Sequence, residues 1–250
     1  MDADLLWLVP LFFVTALVYS SVGHGGASTY LALFALFGFA RADIVPTVLA
    51  LNLLVSGLAF FHYQRAGHFD PRLLAPFVIT SIPAAYVGGA LHLSPDAFSI
   101  LLGVTLLAAA VRFMIFSRPL TARDDLTPQR LYLIGLPVGL LLGFLAGLLG
   151  IGGGIFLSPL LLALGWADAK KTAAVSAAFI FLNSCAGLLA KTAQAPPDWT
   201  LTGLLAAAVI LGGGLGSHTG AFRLPPVVLQ RLLALVLLFA AFKLLNSALG

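Results

Sequence analysis

Residues 131–165 read LYLIGLPVGLLLGFLAGLLGIGGGIFLSPLLLALG, and this apolar stretch decides the fold. As one straight helix it would be roughly 50 Å long, well beyond a hydrocarbon core of about 30 Å. The glycines at 150 and 152–154 divide it into a long arm, Leu131 to Leu149, and a short arm, Ile155 to Gly165. Because the short arm is only about half a membrane long, we predict a helical hairpin whose glycine tip lies at membrane depth.

The same pattern occurs near the N-terminus, where an apolar stretch over residues 5–38 is interrupted at Gly23-His24-Gly25-Gly26. This break aligns with the break at Gly150 at an offset of 127 residues. Three apolar segments of spanning length follow each hairpin, roughly at 44–63, 73–93 and 97–116, and at 171–190, 201–222 and 227–249. This internal repetition predicts an all-α polytopic membrane protein in which each repeat is a glycine-broken helical hairpin plus three transmembrane helices. We predict a first repeat at 1–116, a polar cytoplasmic linker at 117–130 and a second repeat at 131–250, together forming one integrated membrane domain.

The distribution of basic residues predicts the orientation. Each half crosses the membrane three times after its hairpin, an odd number, so the second repeat is inverted relative to the first. This topology puts ten of the 13 Lys and Arg residues on one side, leaving Arg41, Lys191 and Lys243 on the other. By the positive-inside rule the basic side is cytoplasmic. We therefore predict a multi-pass protein of a bacterial inner (plasma) membrane with both termini periplasmic. Whether the hairpin arms are re-entrant or fully spanning stays open, since both give the same sidedness.

Composition excludes several classes of protein. The chain is 60% hydrophobic and 9% charged, whereas soluble domains carry about 25% charged residues. A lipid bilayer is therefore its environment, and the net charge of +4 does not indicate nucleic-acid binding. The single cysteine, Cys185, excludes a disulfide framework and a cysteine-based metal site, and we predict neither a metal nor a cofactor. All nine acidic residues are aspartates near termini, loops or segment ends, which argues against the buried carboxylate relay of many proton pumps.

The two glycine breaks form the predicted binding site. In inverted repeats with broken helices the substrate lies near the midplane, where half-helix N-termini point inward. Unpaired backbone N–H groups and the helix dipole favour an anion there, and glycine lets the backbone approach it closely. We predict that the anion-binding residues are Ser20, Ser21, Gly23, His24, Gly25, Gly26, Ala27, Ser28, Asn52, Gly150, Ile151, Gly152, Gly153, Gly154 and Asn183.

Some residues admit a second explanation. Gly135, Gly139, Gly143 and Gly147 recur every four residues, which predicts a helix-packing face. His24 could contact the anion, carry a proton, or sit neutral against the backbone. The buried amides Asn52 and Asn183 could line a pathway or join helices. With no buried carboxylate, proton coupling would need His24, His218 or the substrate itself.

Residues 147–161, GLLGIGGGIFLSPLL, and their degenerate copy at residues 21–33 resemble the TauE/SafE sulfite exporter family. The resemblance extends over nearly the whole chain, including the two-half layout. The first copy departs from the motif at His24 and Ala27, and it lacks a match to Pro159. The resemblance implies a secondary transporter of sulfite or a related small organosulfur or sulfonate anion. We predict export, although the resemblance leaves the direction of transport open. The exact anion stays open, and we expect alternating access around the two breaks.

Other functions remain as alternatives. A passive anion channel would share the glycine-lined site but show no saturable exchange. A non-transporting membrane subunit of a complex is a second alternative, and the assembly state, including a homodimer, stays open. An intramembrane enzyme would need a nucleophile with a base, or metal ligands at helical spacing. The sequence contains neither, so we predict that the protein is not an enzyme.

Overall fold

A computed structural model of the chain describes residues 3–91 except 38 and 40, residue 107, residues 126–229 except 194 and 226, and residues 231, 232, 234, 235, 238 and 242. The helices with defined bounds are α1 (Ala3–Ser21), α2 (Ala27–Leu36), α3 (Arg41–Arg65), α4 (Pro71–Ala90), α5 (Pro128–Leu149), α6 (Gly154–Leu164), α7 (Ala169–Thr192) and α8 (Trp199–Phe222). No β-strand occurs among the described residues. The predicted all-helical class is therefore confirmed.

Five of these helices, α3, α4, α5, α7 and α8, are long and apolar enough to cross a membrane. The apolar part of α1, Trp7–Ser21, and all of α6 are shorter. The observed ends lie within a few residues of the predicted ones, and α5 ends at Leu149 as expected. The predicted segment at 97–116 and much of that at 227–249 lie outside the described residues.

Aspartates begin three of the long helices. Asp70, Asp168 and Asp198 precede α4, α7 and α8, and each carboxylate accepts a hydrogen bond from a backbone N–H in the first turn. The donors are Arg72, Lys171 and Leu201, at 3.0, 2.8 and 2.9 Å. An acidic cap satisfies an otherwise unpaired N–H group and complements the helix dipole. These carboxylates therefore lie at helix ends, as their sequence positions predicted.

A glycine ridge on α5 packs directly on the backbone of α4. The ridge consists of Gly135, Gly139, Gly143 and Gly147. A Cβ atom on any of them would overlap α4, from Pro76 at one end to Ala85 at the other. The residue numbers rise together along both helices, so α4 and α5 run parallel. The predicted packing role of these four glycines is confirmed.

Glycines of α8 likewise let this helix pack closely against the backbone of α1. Gly212 lies against the carbonyl of Phe13, and Gly220 lies against the carbonyl of Ser21. These two helices are therefore also parallel. In both pairs the small residues let the helix backbones approach closely, which suits packing in lipid.

The pair at the centre, α3 and α7, runs antiparallel. Gly57 faces Phe181, whereas Gly187 faces Leu49, so the residue numbers rise in opposite directions. Helices that correspond in an inverted repeat have to run in opposite directions, and α3 and α7 meet this requirement. The inverted repeat as a whole, with its boundaries at 116 and 131, stays a prediction.

Candidate functional site

Both predicted breaks are non-helical. The first covers residues 22–26, between α1 and α2, and the second covers residues 150–153, between α5 and α6. Positive φ angles, from +69° to +92°, occur at Gly23, Gly26, Gly150, Gly152 and Gly153. This left-handed conformation costs residues with a Cβ roughly 1–2 kcal/mol, so glycine is what allows these sharp turns.

The first break runs from one end of the helix bundle to its centre. At its start, the Tyr63 hydroxyl near the end of α3 donates to the carbonyl of Ser21. At its other end, the N–H of Ala27 donates to Asn52 Oδ1 at 3.2 Å. Because Asn52 is near the midpoint of α3, the short helix α2 begins at mid-depth.

The second break approaches the same depth from the opposite end of α3. Gly150 packs on Val45, near the start of α3, whereas Gly152 lies against the side chains of Asn52 and Ser184. The short helix α6 then begins at Gly154, beside Ile180 of α7. Both short helices therefore begin where α3 and α7 cross.

Asn52 connects the two breaks. Its Oδ1 accepts from Ala27 and lies against Gly25, while its Nδ2 donates to Ser184 Oγ at 2.8 Å and lies against Gly152. The side chain is fully buried, so unpaired amide atoms would be costly. With both ends bonded, this one amide fixes both breaks at a common depth.

The N-termini of the two short helices differ in their hydrogen bonding. The first N–H of α2 is bonded to Asn52. In α6 the preceding residue is Gly153, which has no side chain to cap the helix. Among the described residues, none accepts a hydrogen bond from the N–H of Gly154 or Ile155. The start of α6 therefore presents unpaired donors and a partial positive charge.

A small cavity lies between the breaks. Its walls are formed by Tyr19, His24, Gly25, Gly26, Ala27, Ser28, Ile151, Ile155 and Ile180. The polar side chains in the wall come from α1, the first break and α2, whereas the second break, α6 and α7 contribute isoleucines. The volume is about 10 Å³, which is room for roughly one water molecule. The site is therefore closed to any larger ligand in this conformation.

The structure brings some of the sequence-predicted site residues to this cavity and places others around it. Those in its wall are His24, Gly25, Gly26, Ala27, Ser28 and Ile151. The hydroxyls of Ser20 and Ser21 bond to carbonyls of their own helix, at 3.4 and 2.6 Å. Gly23 packs on the backbone of Ala173. Gly153 packs between Ala146 and Phe179.

Asn183, which was also predicted to bind the anion, does not line the cavity. Its Nδ2 donates to the carbonyl of Phe179, one turn earlier on α7, at 2.8 Å. Its buried Oδ1 has no hydrogen-bond partner among the described residues. The two asparagines therefore differ, because Asn52 bonds between helices and Asn183 bonds within its own.

His24 is buried, and both of its ring nitrogens have partners. Nδ1 is 3.1 Å from the carbonyl of Val22, and Nε2 is 3.3 Å from Ser158 Oγ on α6. Ser158 Oγ is in turn 2.7 Å from Ser176 Oγ on α7. A carbonyl only accepts, so in the tautomer that donates to Val22 the proton is on Nδ1. Nε2 of that neutral ring accepts from Ser158 only when the Ser158 hydroxyl rotates away from Ser176 Oγ, to which it otherwise donates. His24 thus links the first break to the second half of the chain.

Ser158 and Ser176 were missed by the sequence analysis, as were the wall residues Tyr19, Ile155 and Ile180. One signal was present for α7, because polar residues recur there at helical spacing at Thr172, Ser176 and Asn183. Ser158 gave no such signal, since it lies alone in the apolar α6.

A second polar cluster lies outside the site, where α3 and α8 both end. His62 Nδ1 is 2.8 Å from Ser217 Oγ, and its ring is edge-on to that of His218, with centroids 5.5 Å apart. In the described part of the chain, no three or more His, Cys, Asp or Glu residues come together as metal ligands would.

Known proteins resemble this chain over most of its length. The family model described as Sulfite exporter TauE/SafE matches residues 8–244. Probable membrane transporter protein y4hK of Sinorhizobium fredii (strain NBRC 101917 / NGR234) is 36% identical, over 98% of this chain and all of that protein. Probable membrane transporter proteins YunE and YjnA of Bacillus subtilis (strain 168) are each 26% identical, over 86% and 93% of this chain and 86% and 96% of their own lengths. No solved structure matches the chain.

Proposed function

The chain belongs to the TauE/SafE sulfite exporter family, and we propose that this membrane transporter exports sulfite or a related small organosulfur or sulfonate anion. The names of the relatives say only that they are probable membrane transporters, so the substrate class rests on the family description and on the site. The observation that carries the proposal is the meeting of α2 and α6, two half-membrane helices, at one cavity beside Asn52.

The chemistry of the cavity suits an anion. Helix N-termini bind anions through backbone N–H groups and the helix dipole, and the N–H groups of Gly154 and Ile155 are unpaired. His24 and Ser28 add polar groups on the facing wall. None of the wall residues is a carboxylate that would repel a negative charge.

The apolar wall favours one kind of anion within the class. Ile151, Ile155 and Ile180 line the cavity together with the polar side chains of Tyr19, His24 and Ser28. Sulfite would use only the polar side, whereas a short alkanesulfonate has an oxyanion for one side and an alkyl group for the other. Burial of each CH₂ group contributes about 0.8 kcal/mol. A small sulfonate is therefore the substrate that the lining supports best.

The small size of the cavity supports a transporter over an open channel. A passive pore needs a continuous path, and a cavity of about 10 Å³ holds no sulfur oxyanion. The breaks approach this cavity from opposite ends of α3, which gives one route to each side of the membrane. Rocking of one half against the other would open these routes in turn.

Binding is tested on detergent-purified protein by thermal unfolding with sulfite, methanesulfonate, taurine, sulfate and chloride. Ligand that binds only the native state adds about 2.7 kcal/mol at one hundred times Kd, so a sulfur anion should raise Tm selectively. The variant Gly153→Leu places a side chain against Ala146 and Phe179 and should abolish the shift. Gly203→Leu is the matched control, because no atom lies within 4 Å of a Cβ at that exposed position of α8.

Transport is tested in proteoliposomes by counterflow of labelled sulfite and methanesulfonate. Saturable counterflow of the same anions that raise Tm supports the proposal. Conductance without saturable counterflow would replace it with a channel. If no anion shifts Tm and none exchanges, the transporter proposal fails. Constant copurification with a partner protein would then favour the subunit alternative.

A further inference from the structure

Buried polar side chains follow one another from the start of α7 to the cavity. They are Thr172, Ser176, Ser158 and His24, and their exposed fractions are 1%, 0%, 0% and 2%. His24 Nε2 is 3.3 Å from Ser158 Oγ, which is 2.7 Å from Ser176 Oγ. Polar groups are costly in apolar surroundings, so this succession of buried polar side chains calls for an explanation beyond packing.

Thr172 extends this row by one turn. Ser176 is four positions further along α7, which places the two hydroxyls on one face about 6 Å apart along the axis. Thr172 Oγ1 is buried and has no hydrogen-bond partner among the described residues. The comparable Thr202 in α8 donates to the carbonyl of Asp198 one turn earlier, at 2.7 Å. An unpaired buried hydroxyl indicates an ordered water, and one water would bridge Thr172 to Ser176.

The row starts at a hydrated end of the bundle. Asp168 caps α7 one turn before Thr172, and Lys171 pairs with Asp70 at 3.7 Å. The side chains of that pair are 36% and 35% exposed. The preponderance of basic residues predicts that this end faces the cytoplasm. Protons from the cytoplasm therefore have a short path to Thr172.

We propose that Thr172, Ser176 and Ser158 form a proton relay to His24, and that His24 carries a proton together with the anion. This inference rests on the proposed transport function and adds the coupling ion to it. Among the described residues no charged side chain contacts His24. The titratable groups around it are Tyr19 of α1, whose hydroxyl bonds to Thr29 Oγ1, and Tyr30 of α2. From α6, the Ser158 hydroxyl and the backbone of Gly154 contact the ring, and Ser158 is bonded in turn to Ser176 of α7.

The proton balance is simple. Each hydroxyl passes its own proton forward and receives one from behind, so the relay groups end neutral. Nε2 of His24 takes the proton from Ser158, while Nδ1 keeps its own proton and donates it in a hydrogen bond to the Val22 carbonyl, so the ring becomes an imidazolium. Its positive charge offsets the anion in the cavity, whose wall includes His24. After the cavity opens to the other side, anion and proton leave and the neutral ring returns.

Coupling of this kind has a direct energetic consequence. One proton moving with a monovalent anion makes transport electroneutral, so the membrane potential does not drive it. Export then follows the outward anion gradient, and an acidic exterior opposes it. In proteoliposomes a gradient of one pH unit should drive about tenfold accumulation on the alkaline side at one proton per anion.

The test uses labelled methanesulfonate, because its sulfonate stays ionised over the whole working pH range and carries no proton of its own. Accumulation driven by a pH gradient is compared with counterflow, which needs no net proton movement. We expect the wild type to perform both. Ser176→Ala and Thr172→Val should retain counterflow, since neither residue lines the cavity, but lose most of the tenfold accumulation. Thr202→Val is the matched control and should retain both.

Four other outcomes would contradict the relay. Wild-type counterflow without pH-driven accumulation would overturn it and leave the transport function intact. Full accumulation in both Ser176→Ala and Thr172→Val would overturn it as well. Uncoupling by Ser217→Ala instead would move the proton route to His62 and His218. Absence of all counterflow, with methanesulfonate and with sulfite, would remove the proposed function together with the relay.

Discussion

Asn52 Nδ2 donates a 2.8 Å hydrogen bond to Ser184 Oγ, which joins α3 to α7 at the depth where both glycine breaks end. The same amide accepts from the N–H of Ala27 through Oδ1. One side chain thus holds two antiparallel helices and the start of a half-membrane helix in register. A motion that opens the cavity therefore either keeps these two hydrogen bonds or breaks them.

Asn52→Ala is expected to destabilise the protein and to abolish the anion-induced shift in Tm. The substitution leaves the N–H of Ala27 unpaired, and an unsatisfied buried group costs about 1–3 kcal/mol. Ser184→Ala removes only the bond to Nδ2 and should destabilise less while retaining the anion shift. Thermal unfolding of both variants, with and without sulfite or methanesulfonate, measures the difference. Equal losses in the two variants, or an intact anion shift in Asn52→Ala, would contradict this role.

Gly216→Ala and Gly214→Ala are expected to have opposite effects although they are two residues apart on α8. A Cβ at Gly216 would overlap the carbonyl of Leu17 on α1, whereas no atom lies within 4 Å of a Cβ at Gly214. Overpacking at Gly216 should cost about 1–3 kcal/mol. Alanine at Gly214 should be neutral or slightly stabilising, because glycine is the poorer helix former. The comparison of Tm values tests whether α1 and α8 meet through this face.

The breaks and the helix ends could be predicted because they depend on local sequence. Positive φ angles require glycine, so Gly23, Gly150 and their neighbours marked the turns directly. The contacts of the site could not be predicted in this way. The bond between His24 and Ser158 joins residues 134 positions apart, and it forms only because α6 folds back beside the first break.

The two asparagines also show that the sequence does not predict the hydrogen-bond partners of a buried side chain. Asn52 and Asn183 each lie inside an apolar segment, shortly before Gly57 and Gly187. Asn52 nevertheless bonds to α2 and α7, whereas Asn183 bonds to its own helix. Periodicity identifies a buried polar residue, but the partner depends on which helix backbone lies within reach of the amide.

Ile151→Ala is expected to shift selectivity toward larger sulfonates. Ile151 is part of the apolar wall of the cavity, and its truncation leaves room for added CH₂ groups of the ligand. At about 0.8 kcal/mol for each CH₂ buried, affinity should rise about fourfold for each added carbon of an alkanesulfonate. Competition of methane-, ethane- and propanesulfonate against labelled substrate measures this series. Affinity for sulfite should change little, since it has no group for the apolar side.

An unchanged order of affinities in Ile151→Ala would contradict the assignment of this wall to the alkyl group. Ile79→Ala is a suitable control, because this side chain is 56% exposed on α4 and does not line the cavity. It should leave the selectivity series as it is in the wild type.

Cysteines at positions 67 and 196 are expected to be labelled from opposite sides of the membrane. Gly67 follows the end of α3, and Pro196 lies near its start, because the N–H of Asp198 donates to Thr47 Oγ1 at 2.9 Å. Both positions are exposed. The background variant Cys185→Ala removes the one native thiol.

The distribution of basic residues predicts which side is which. Gly67 is near Arg65 and Arg72, on the side predicted to be cytoplasmic, so Gly67→Cys should react with a membrane-impermeant maleimide only after permeabilisation. Pro196→Cys should react in cells whose inner membrane is intact. Reversed labelling would place both termini in the cytoplasm and would reverse the side from which protons reach Thr172. Labelling of both cysteines from one side would contradict the membrane-spanning arrangement of α3 itself.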